Sequence, residues 1–391
     1  MITKDPFKPL ICILVAFVFV YGVYGFVFKR RGFIGGGDAT GFSTSILDYY
    51  ENPDYGEDDQ WKTGNRSRRS YDQGKNSESS PLLVLILASN VRSGSTLLAE
   101  LLSTTGEAVL FFEPLWLHRD KPELFQGKSV VSYLSDIFQC HFSDELETSL
   151  RYTFPFSHYF HQSILNCLSN SSAAQDCLRR LDPRQICRNA RVRVAKVVRA
   201  RLSAVEDLLR GSPTQRVKVI HLTRDPRGSI TSMQGLFLNW KPSLKCGPLW
   251  EDMQVYDRLV QKYPERLINV THEELSLHPT KTMEKLNRFL TGRPDVSAGT
   301  HRYIKRHMNS TRYREDPLST FNTSKNKYQS WRWQINGRLL SQIENEPSCR
   351  KAIERYGHNL FGSLDRVTDP RIPLRTSDEG PSEEVLQMYS H

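Results

Sequence analysis

Arg92-Ser93-Gly94-Ser95-Thr96 packs a guanidinium, three hydroxyls and a glycine into five residues. This mixture suits a phosphate or a sulfate. Arginine supplies a fixed charge, the hydroxyls donate hydrogen bonds, and glycine lets the backbone approach the anion closely. The apolar run Leu82–Ala88 precedes the segment, and Leu97, Leu98, Leu101 and Leu102 follow at helical spacing. Strand, loop and helix are predicted in that order. Such a loop ends on a helix N-terminus, where unpaired N–H groups and the helix dipole favour negative charge. A serine-rich helix cap is the plainer alternative. The ATP-binding pattern GxxxxGK[ST] is absent.

A second segment repeats this logic. Val217–Leu222 reads as a buried strand, Thr223 to Gly228 as a basic turn, and Ile230, Met233 and Leu236 recur at helical spacing. Arg224 leaves the strand end, and Pro226 and Gly228 shape the turn. Ser232 lies about two turns into the next helix, where its hydroxyl can meet an anion held by Arg224. Alone, Arg-Asp-Pro-Arg also reads as a surface turn with an internal ion pair. Two anion loops in one domain are hard to ascribe to chance.

The elements that must carry these loops follow from apolar spacing. Further strands are predicted at Val109–Phe112, Arg193–Val198 and Leu267–Val270. Helical stripes run through Leu202, Val205, Leu208 and Leu209, and through Met283, Leu286, Phe289 and Leu290. Strands alternating with helices give an α/β class, with a mainly parallel sheet flanked by helices. The net charge of +10 fits an acidic ligand, such as a nucleotide, a phosphate or a polyanionic glycan, or plain solubility. Zinc-finger spacing, basic-plus-aromatic RNA signatures and heptads are all missing, so nucleic acid is not an expected partner.

Leu10–Phe28 is uncharged and long enough for a bilayer core. It is read as a transmembrane signal-anchor (10–28) behind a cytoplasmic tail (1–9). Basic residues flank both ends, so charge does not set the orientation. Gly32 and Gly35–Gly37 leave a cleaved leader as the alternative. Residues 29–80 are polar and aperiodic, as in a disordered stem. A lumenal catalytic domain is expected at 81–365 and a flexible tail at 366–391. Five Asn-x-Ser/Thr sequons, at Asn65, Asn170, Asn269, Asn309 and Asn322, fit a secretory setting. Outside the apolar run stand Cys140, Cys167, Cys177, Cys187, Cys246 and Cys349, an even set compatible with disulfides. Buried free thiols are the alternative, and the pairing is open. No CxxC occurs, so zinc is not expected, and with Arg, Lys and backbone N–H groups to supply counter-charge no metal is called for.

With these motifs in hand, the chain resembles the Golgi carbohydrate sulfotransferases, specifically the galactose/N-acetylgalactosamine/N-acetylglucosamine 6-O-sulfotransferase family. Four stretches carry the resemblance: Arg92 to Leu97, Phe112-Glu113-Pro114-Leu115-Trp116, Ala195-Lys196-Val197-Val198-Arg199, and Leu222 to Arg227. It implies the P-loop-like sulfotransferase fold, a relative of nucleotide kinases. It also implies 3'-phosphoadenosine 5'-phosphosulfate (PAPS) as co-substrate and a sugar hydroxyl on a glycoprotein or proteoglycan as acceptor. The implied setting is the Golgi membrane, single-pass type II, with a homodimer left open. Arg92, Ser93, Gly94, Ser95 and Thr96, with Leu97 closing the stretch, match the loop that holds the 5'-phosphosulfate. Arg224 and Ser232 match the pair that holds the 3'-phosphate. Thr271-His272-Glu273-Glu274 stands where the family often has a Tyr-Glu-Asp-like segment. This departure is expected not to touch the donor site and to leave acceptor specificity open.

Sulfuryl transfer needs a base for the attacking hydroxyl and cations for the departing oxygen. Glu113, just past a predicted strand, is the expected base, with Arg92 and Lys196 as its catalytic partners. A structural salt bridge from Glu113 to Arg92 or Lys196 is the alternative. Trp116 can stack on a sugar ring. Lys196 and Arg199 add to the same field or bind an anionic glycan, unless they serve in structural pairing. His118 is an alternative base, whereas His221, inside a strand, reads as a satisfied core histidine. Trp331 and Trp333 read as core packing. Two rivals are a lumenal P-loop phosphotransferase, which lacks its lysine-Ser/Thr pair, and an inactive glycan- or nucleotide-binding relative. The latter need not keep Arg92, Glu113, Arg224 and Ser232 together.

Overall fold

The computed structural model describes residues 80–375, apart from 105–107, 122–126, 154–156, 170–171, 211–215, 235–240 and 309–327. The expected tail, membrane span and nearly all of the stem lie outside the described residues, as do four of the sequons and residues 376–391. Among the described residues no helix is long and apolar enough to cross a membrane.

Strand β1 (Leu82–Ala88) is buried along its whole length, as a continuous apolar run requires. Helix α1 (Ser95–Ser103) and β2 (Ala108–Phe112) follow. A helical excursion from Gly127 to Asn189 leads into β3 (Val192–Val197). Next come α2 (Leu202–Arg210), β4 (Arg216–Thr223), α3 (Pro226–Gln234), α4 (Pro242–Lys262) and β5 (Leu267–Thr271). Each expected strand is present within two residues of its predicted limits. The sheet is parallel throughout, in the order β2-β3-β1-β4-β5. Leu85 of central β1 pairs with Ala195 of β3 on one side and Val219 of β4 on the other.

Alternation on β1 divides the core. Leu83, Leu85 and Leu87 pack with Val109, Phe111, Ile137 and Val205. Leu82, Val84 and Ile86 pack with Leu98, Leu101, Ile220 and Leu286. The sheet is therefore covered on both faces, and only its strand ends are open for a site. By the same geometry β1, β3 and β4 deliver their following loops to one edge, where α/β ligand sites gather.

A third core stands beside the sheet. Ile230 and Met233 of α3 meet Trp331, Leu339, Ile343, Ile353, Phe361, Val367 and Leu374. They join α3 to α5 (Gly337–Asn345), α6 (Pro347–Arg355) and α7 (Leu364–Thr368) once α4 and β5 have passed. The packed chain thus runs about ten residues beyond the boundary expected at 365. Ser363 caps α7, Val367 and Leu374 are buried, and Arg332 donates to the carbonyls of Val367 and Asp369. Polar composition hid this anchoring, because two apolar side chains and one buried guanidinium achieve it.

All six cysteines outside the apolar N-terminal run form disulfides: Cys140–Cys187, Cys167–Cys177 and Cys246–Cys349. The first two brace the helical excursion, and the third fastens α6 to α4. The one described sequon asparagine, Asn269, lies in β5 with its amide donating to the His221 carbonyl and to Thr223 Oγ1. Replacing Cys246 and Cys349 together by serine should lower stability by about 2–4 kcal/mol. Denaturant unfolding of the oxidised proteins checks this, and an unchanged midpoint would show that the bridge adds nothing to the packed third core.

Candidate active site

The first loop leaves β1 at Ser89 and enters α1 at Gly94. Gly94 takes φ +84°, so it stands where an L side chain is strained. It caps α1 without any side-chain bond, and Leu98 N to Gly94 O, 3.1 Å, is the first bond of that helix. The N–H groups of Ser95, Thr96 and Leu97 therefore lie outside the helical ladder. Leu97 itself is buried, so only its backbone can meet a ligand. Ser93 turns inward and donates to Asn90 O at 2.8 Å, which fixes the loop instead of facing an anion. Arg92 sits at φ +65° and reaches across the gap, its Nε donating to Ser232 Oγ at 3.1 Å.

Arg224 answers from the second loop, donating from Nη1 to the Arg92 carbonyl at 2.7 Å. The two predicted anion loops are thus one surface, tied by backbone and side chain. Burial lowers Arg224 to about 10, so it stays charged at neutral pH. Its Nε has no partner among the described residues.

Beneath this surface lies a network sealed from water. Asp225 accepts from Arg227 at 2.8 Å and from His358 Nδ1 at 2.9 Å, and its backbone N–H donates to Glu273. Arg227 also donates to Glu344 at 2.7 Å and to the Asn359 carbonyl, and its guanidinium lies over Trp331 and Phe361. Both members of the Asp225–Arg227 pair are fully buried. Burial pushes the Asp225 carboxyl up, but Arg227 and His358 outweigh it and hold it far below the usual range. The internal ion pair raised as the alternative reading is present, but fully buried as the root of the second loop and not in a surface turn.

Glu113 follows β2 at φ +47°, an unusual conformation for a glutamate, and Pro114 starts a short 3₁₀ turn behind it. Its N–H donates to Lys196 O at 2.9 Å, which continues the β2–β3 ladder for one more residue. Its carboxylate meets Lys196 Nζ at 2.7 Å and, on the other oxygen, the Arg199 guanidinium. Lys196 is 3% exposed and lies 3.9 Å from the Phe112 ring centre. Burial raises the Glu113 carboxyl, yet Lys196 and Arg199 together bring it below its ordinary value. Burial likewise lowers Lys196, against the pull of Glu113. Lys196 also feels Arg92, so the Glu113 cluster shares a field with the first loop. Of the two alternatives raised for Glu113, the Lys196 salt bridge is present, and a paired carboxylate at a strand end is also one held ionised.

Two residues were missed from sequence, His272 and Glu273. His272 lies against the first loop: a Cβ added to Gly94 would sit 2.4 Å from its Nδ1. That nitrogen is buried without a partner among the described residues. Burial, then Arg224 and Arg92, hold His272 neutral. Glu273 anchors Asp225. The 271–274 segment, expected to leave the donor site untouched, instead adjoins the loops at Gly94 and Asp225, because β5 pairs with β4 and aims its following turn at the same edge. His221 is the core histidine foreseen, bonded through Nε2 to Ser89 Oγ at 2.7 Å. Trp331 is core as well, at 1% exposure.

The profile of the sulfotransferase family matches residues 85–295, more than half of the chain. Mouse carbohydrate sulfotransferase 3 is 23% identical over 339 residues, covering 74% of this chain and 71% of the relative. The human carbohydrate sulfotransferase 3 is 21% identical over 347 residues, with 74% and 70% covered. Among solved structures, the sulfotransferase domain of the Synechococcus PCC 7002 olefin synthase aligns at TM-score 0.41 and 18% identity. That alignment covers 73% of this chain and 98% of the other.

Gly94→Ala should destabilise the loop twice: through the left-handed backbone, about 1–2 kcal/mol, and through the His272 contact. Adding His272→Ala should recover the contact but not the backbone cost. Melting temperatures of the two variants check this, and equal losses in both would remove His272 from the loop. Asp225 stabilises the fold fully above the unfolded carboxylate value near ~3.9. That contribution fades only as pH falls towards its depressed folded value. Asp225→Asn should therefore cost about 3–5 kcal/mol at pH 7 and lose part of the difference from wild type in acid. Urea midpoints measured from pH 7 to pH 3 test the sign.

Proposed function

Because the chain belongs to the sulfotransferase family, we propose that it moves a sulfuryl group from PAPS to a sugar hydroxyl. The position read as acceptor is the 6-O of galactose, N-acetylgalactosamine or N-acetylglucosamine. The observation carrying this reading is the Glu113 carboxylate clamped by Lys196 and Arg199, one strand away from the Arg92–Leu97 loop.

The donor fits the residues present. The N–H groups at the start of α1 lie outside the helical ladder, and two buried nitrogens, Arg224 Nε beside Gly228 and His272 Nδ1 beside Gly94, have no partner among the described residues. Residues 92–97 would hold the phosphosulfate end, and Arg224 with Ser232 the 3'-phosphate. The donor brings a sulfuryl group already activated by its anhydride bond. Every other contribution belongs to the protein.

Glu113 accepts the proton of the sugar hydroxyl at a carboxylate oxygen, freeing that hydroxyl to form its bond to sulfur. Lys196 and Arg199 keep Glu113 ionised beforehand and hold it in one orientation. Arg92 and the α1 N–H groups meet the charge that grows on the oxygen whose bond to sulfur breaks. Counter-charge thus comes from side chains and backbone, and the scheme calls for no metal. The apolar run at 10–28, the sequons and the three disulfides support a type II protein anchored in the Golgi membrane with this domain lumenal.

Glu113→Gln keeps the shape and removes the base. Transfer of labelled sulfate to a panel of Gal-, GalNAc- and GlcNAc-ended oligosaccharides should fall about 10²–10⁴-fold in kcat, with donor binding retained. In the wild type the acid limb of kcat/KM should lie below the ordinary glutamate value near ~4.3, because the Glu113 carboxyl is lowered. Equal rates for the two proteins would remove Glu113 as the base. Donor binding without transfer to any saccharide would favour a silent binding protein.

A further inference from the structure

The segment after α7 closes on the network beneath the second loop. The Asn359 N–H donates to the Leu374 carbonyl at 2.8 Å, and the Asn359 side-chain amide donates to the Pro373 carbonyl at 3.0 Å. His358 and Arg375 pair as an antiparallel bridge, and Leu374 between these contacts is buried. Residues 373–375 thus strap down the dipeptide 358–359. Each member of that dipeptide holds one charge of the Asp225–Arg227 pair. The Asn359 carbonyl accepts from Arg227 at 2.8 Å, and His358 Nδ1 meets Asp225 at 2.9 Å.

The strap also decides where the imidazole proton sits. Arg375 Nε donates to His358 Nε2 at 3.3 Å. A guanidinium has N–H donors and no acceptor. Nε2 must therefore present its lone pair, which leaves the proton on Nδ1. That is the tautomer able to donate to the Asp225 carboxylate. The opposite tautomer would set a lone pair against a buried carboxylate and leave that charge short of a donor. Asp225 follows Arg224 directly, and its own N–H is tied to Glu273. A displaced Asp225 therefore displaces the turn from which Arg224 reaches the Arg92 carbonyl.

We propose that Arg375 is a positioning residue for the nucleotide donor: by fixing His358 as an Nδ1–H donor to Asp225, it sets the Arg224 turn that receives the 3'-phosphate. This rests on the sulfotransferase reading above and gives the 3'-phosphate half of that site a support from a segment that touches no ligand.

The test uses the purified full-length chain and two probes, 3'-phosphoadenosine 5'-phosphate and adenosine 5'-phosphate, which differ only in the 3'-phosphate. Calorimetry reads their binding. Arg375→Ala should weaken the first about tenfold and leave the second unchanged. With labelled PAPS the same variant should raise the donor KM by a similar factor, with kcat little changed. Arg375→Lys, which keeps an N–H donor, should recover part of the loss. His358→Asn presents an amide with no tautomer to choose, so adding Arg375→Ala to it should cost little further. Equal weakening for both nucleotides would reduce Arg375 to a general structural role, and wild-type affinities in Arg375→Ala would remove it from the site. Either result overturns the inference while leaving the reaction intact. A wild-type chain with no preference for the 3'-phosphorylated nucleotide would overturn the donor reading and the inference with it.

Discussion

The buried pair of Asp225 and Arg227 is the joint on which the site depends. Asp225 fixes the start of α3, and through its N–H and carboxylate it holds Glu273 and His358. Arg227 carries the connection outward to Glu344, whose other bonds go to the N–H groups of Phe361 and Gly362. A charge taken out of water must be paired almost completely, or it costs several kcal/mol. Here each partner is also hydrogen-bonded, so the second loop cannot move without breaking a sealed network. Arg224, one residue away, inherits that rigidity.

Rigidity matters because the surface above it is electrostatically uncomfortable. Arg92 and Arg224 depress each other's neighbours, and Lys196 and Arg199 press on the same field. Like charges at such range repel unless an anion joins them. The fold keeps them together by fastening each through its backbone or through Glu113. Arg92 and Glu113 both occupy left-handed backbone conformations that the surrounding structure must enforce. Without a counter-anion these like charges stay in unfavourable contact.

Much of this was legible in the sequence because it is local. Leu82–Ala88 could only be a strand covered on both faces, and the following leucines could only be a helix laid on the sheet. The loop between them reads as an anion site, with a serine-rich helix cap as the alternative. Glu113 and Lys196 were visible as strand-end residues. What sequence could not show was contact across the sheet. The approach of His272 to Gly94 depends on β5 lying beside β4. The burial of Arg227 depends on a third core whose members beyond α3, such as Trp331 and Phe361, are more than a hundred residues away. Arg-Asp-Pro-Arg has the same letters in a solvated turn as in a sealed network. The polar tail carried only two apolar anchors, too few for a periodic signal.

The Cys246–Cys349 bridge joins residues separated by 103 positions. A chain made from its N-terminus exposes Cys246 long before its partner exists. By then every strand of the sheet has emerged except β5, and the phosphate-type loops have been built without their brace. The third core and its bridge can close only afterwards. Assembly is therefore ordered by the ribosome: scaffold first, lock last. A chain truncated before residue 349 would keep a whole sheet and yet carry an unpaired thiol behind an unsecured second loop, which a quality-control system that reads free thiols could recognise.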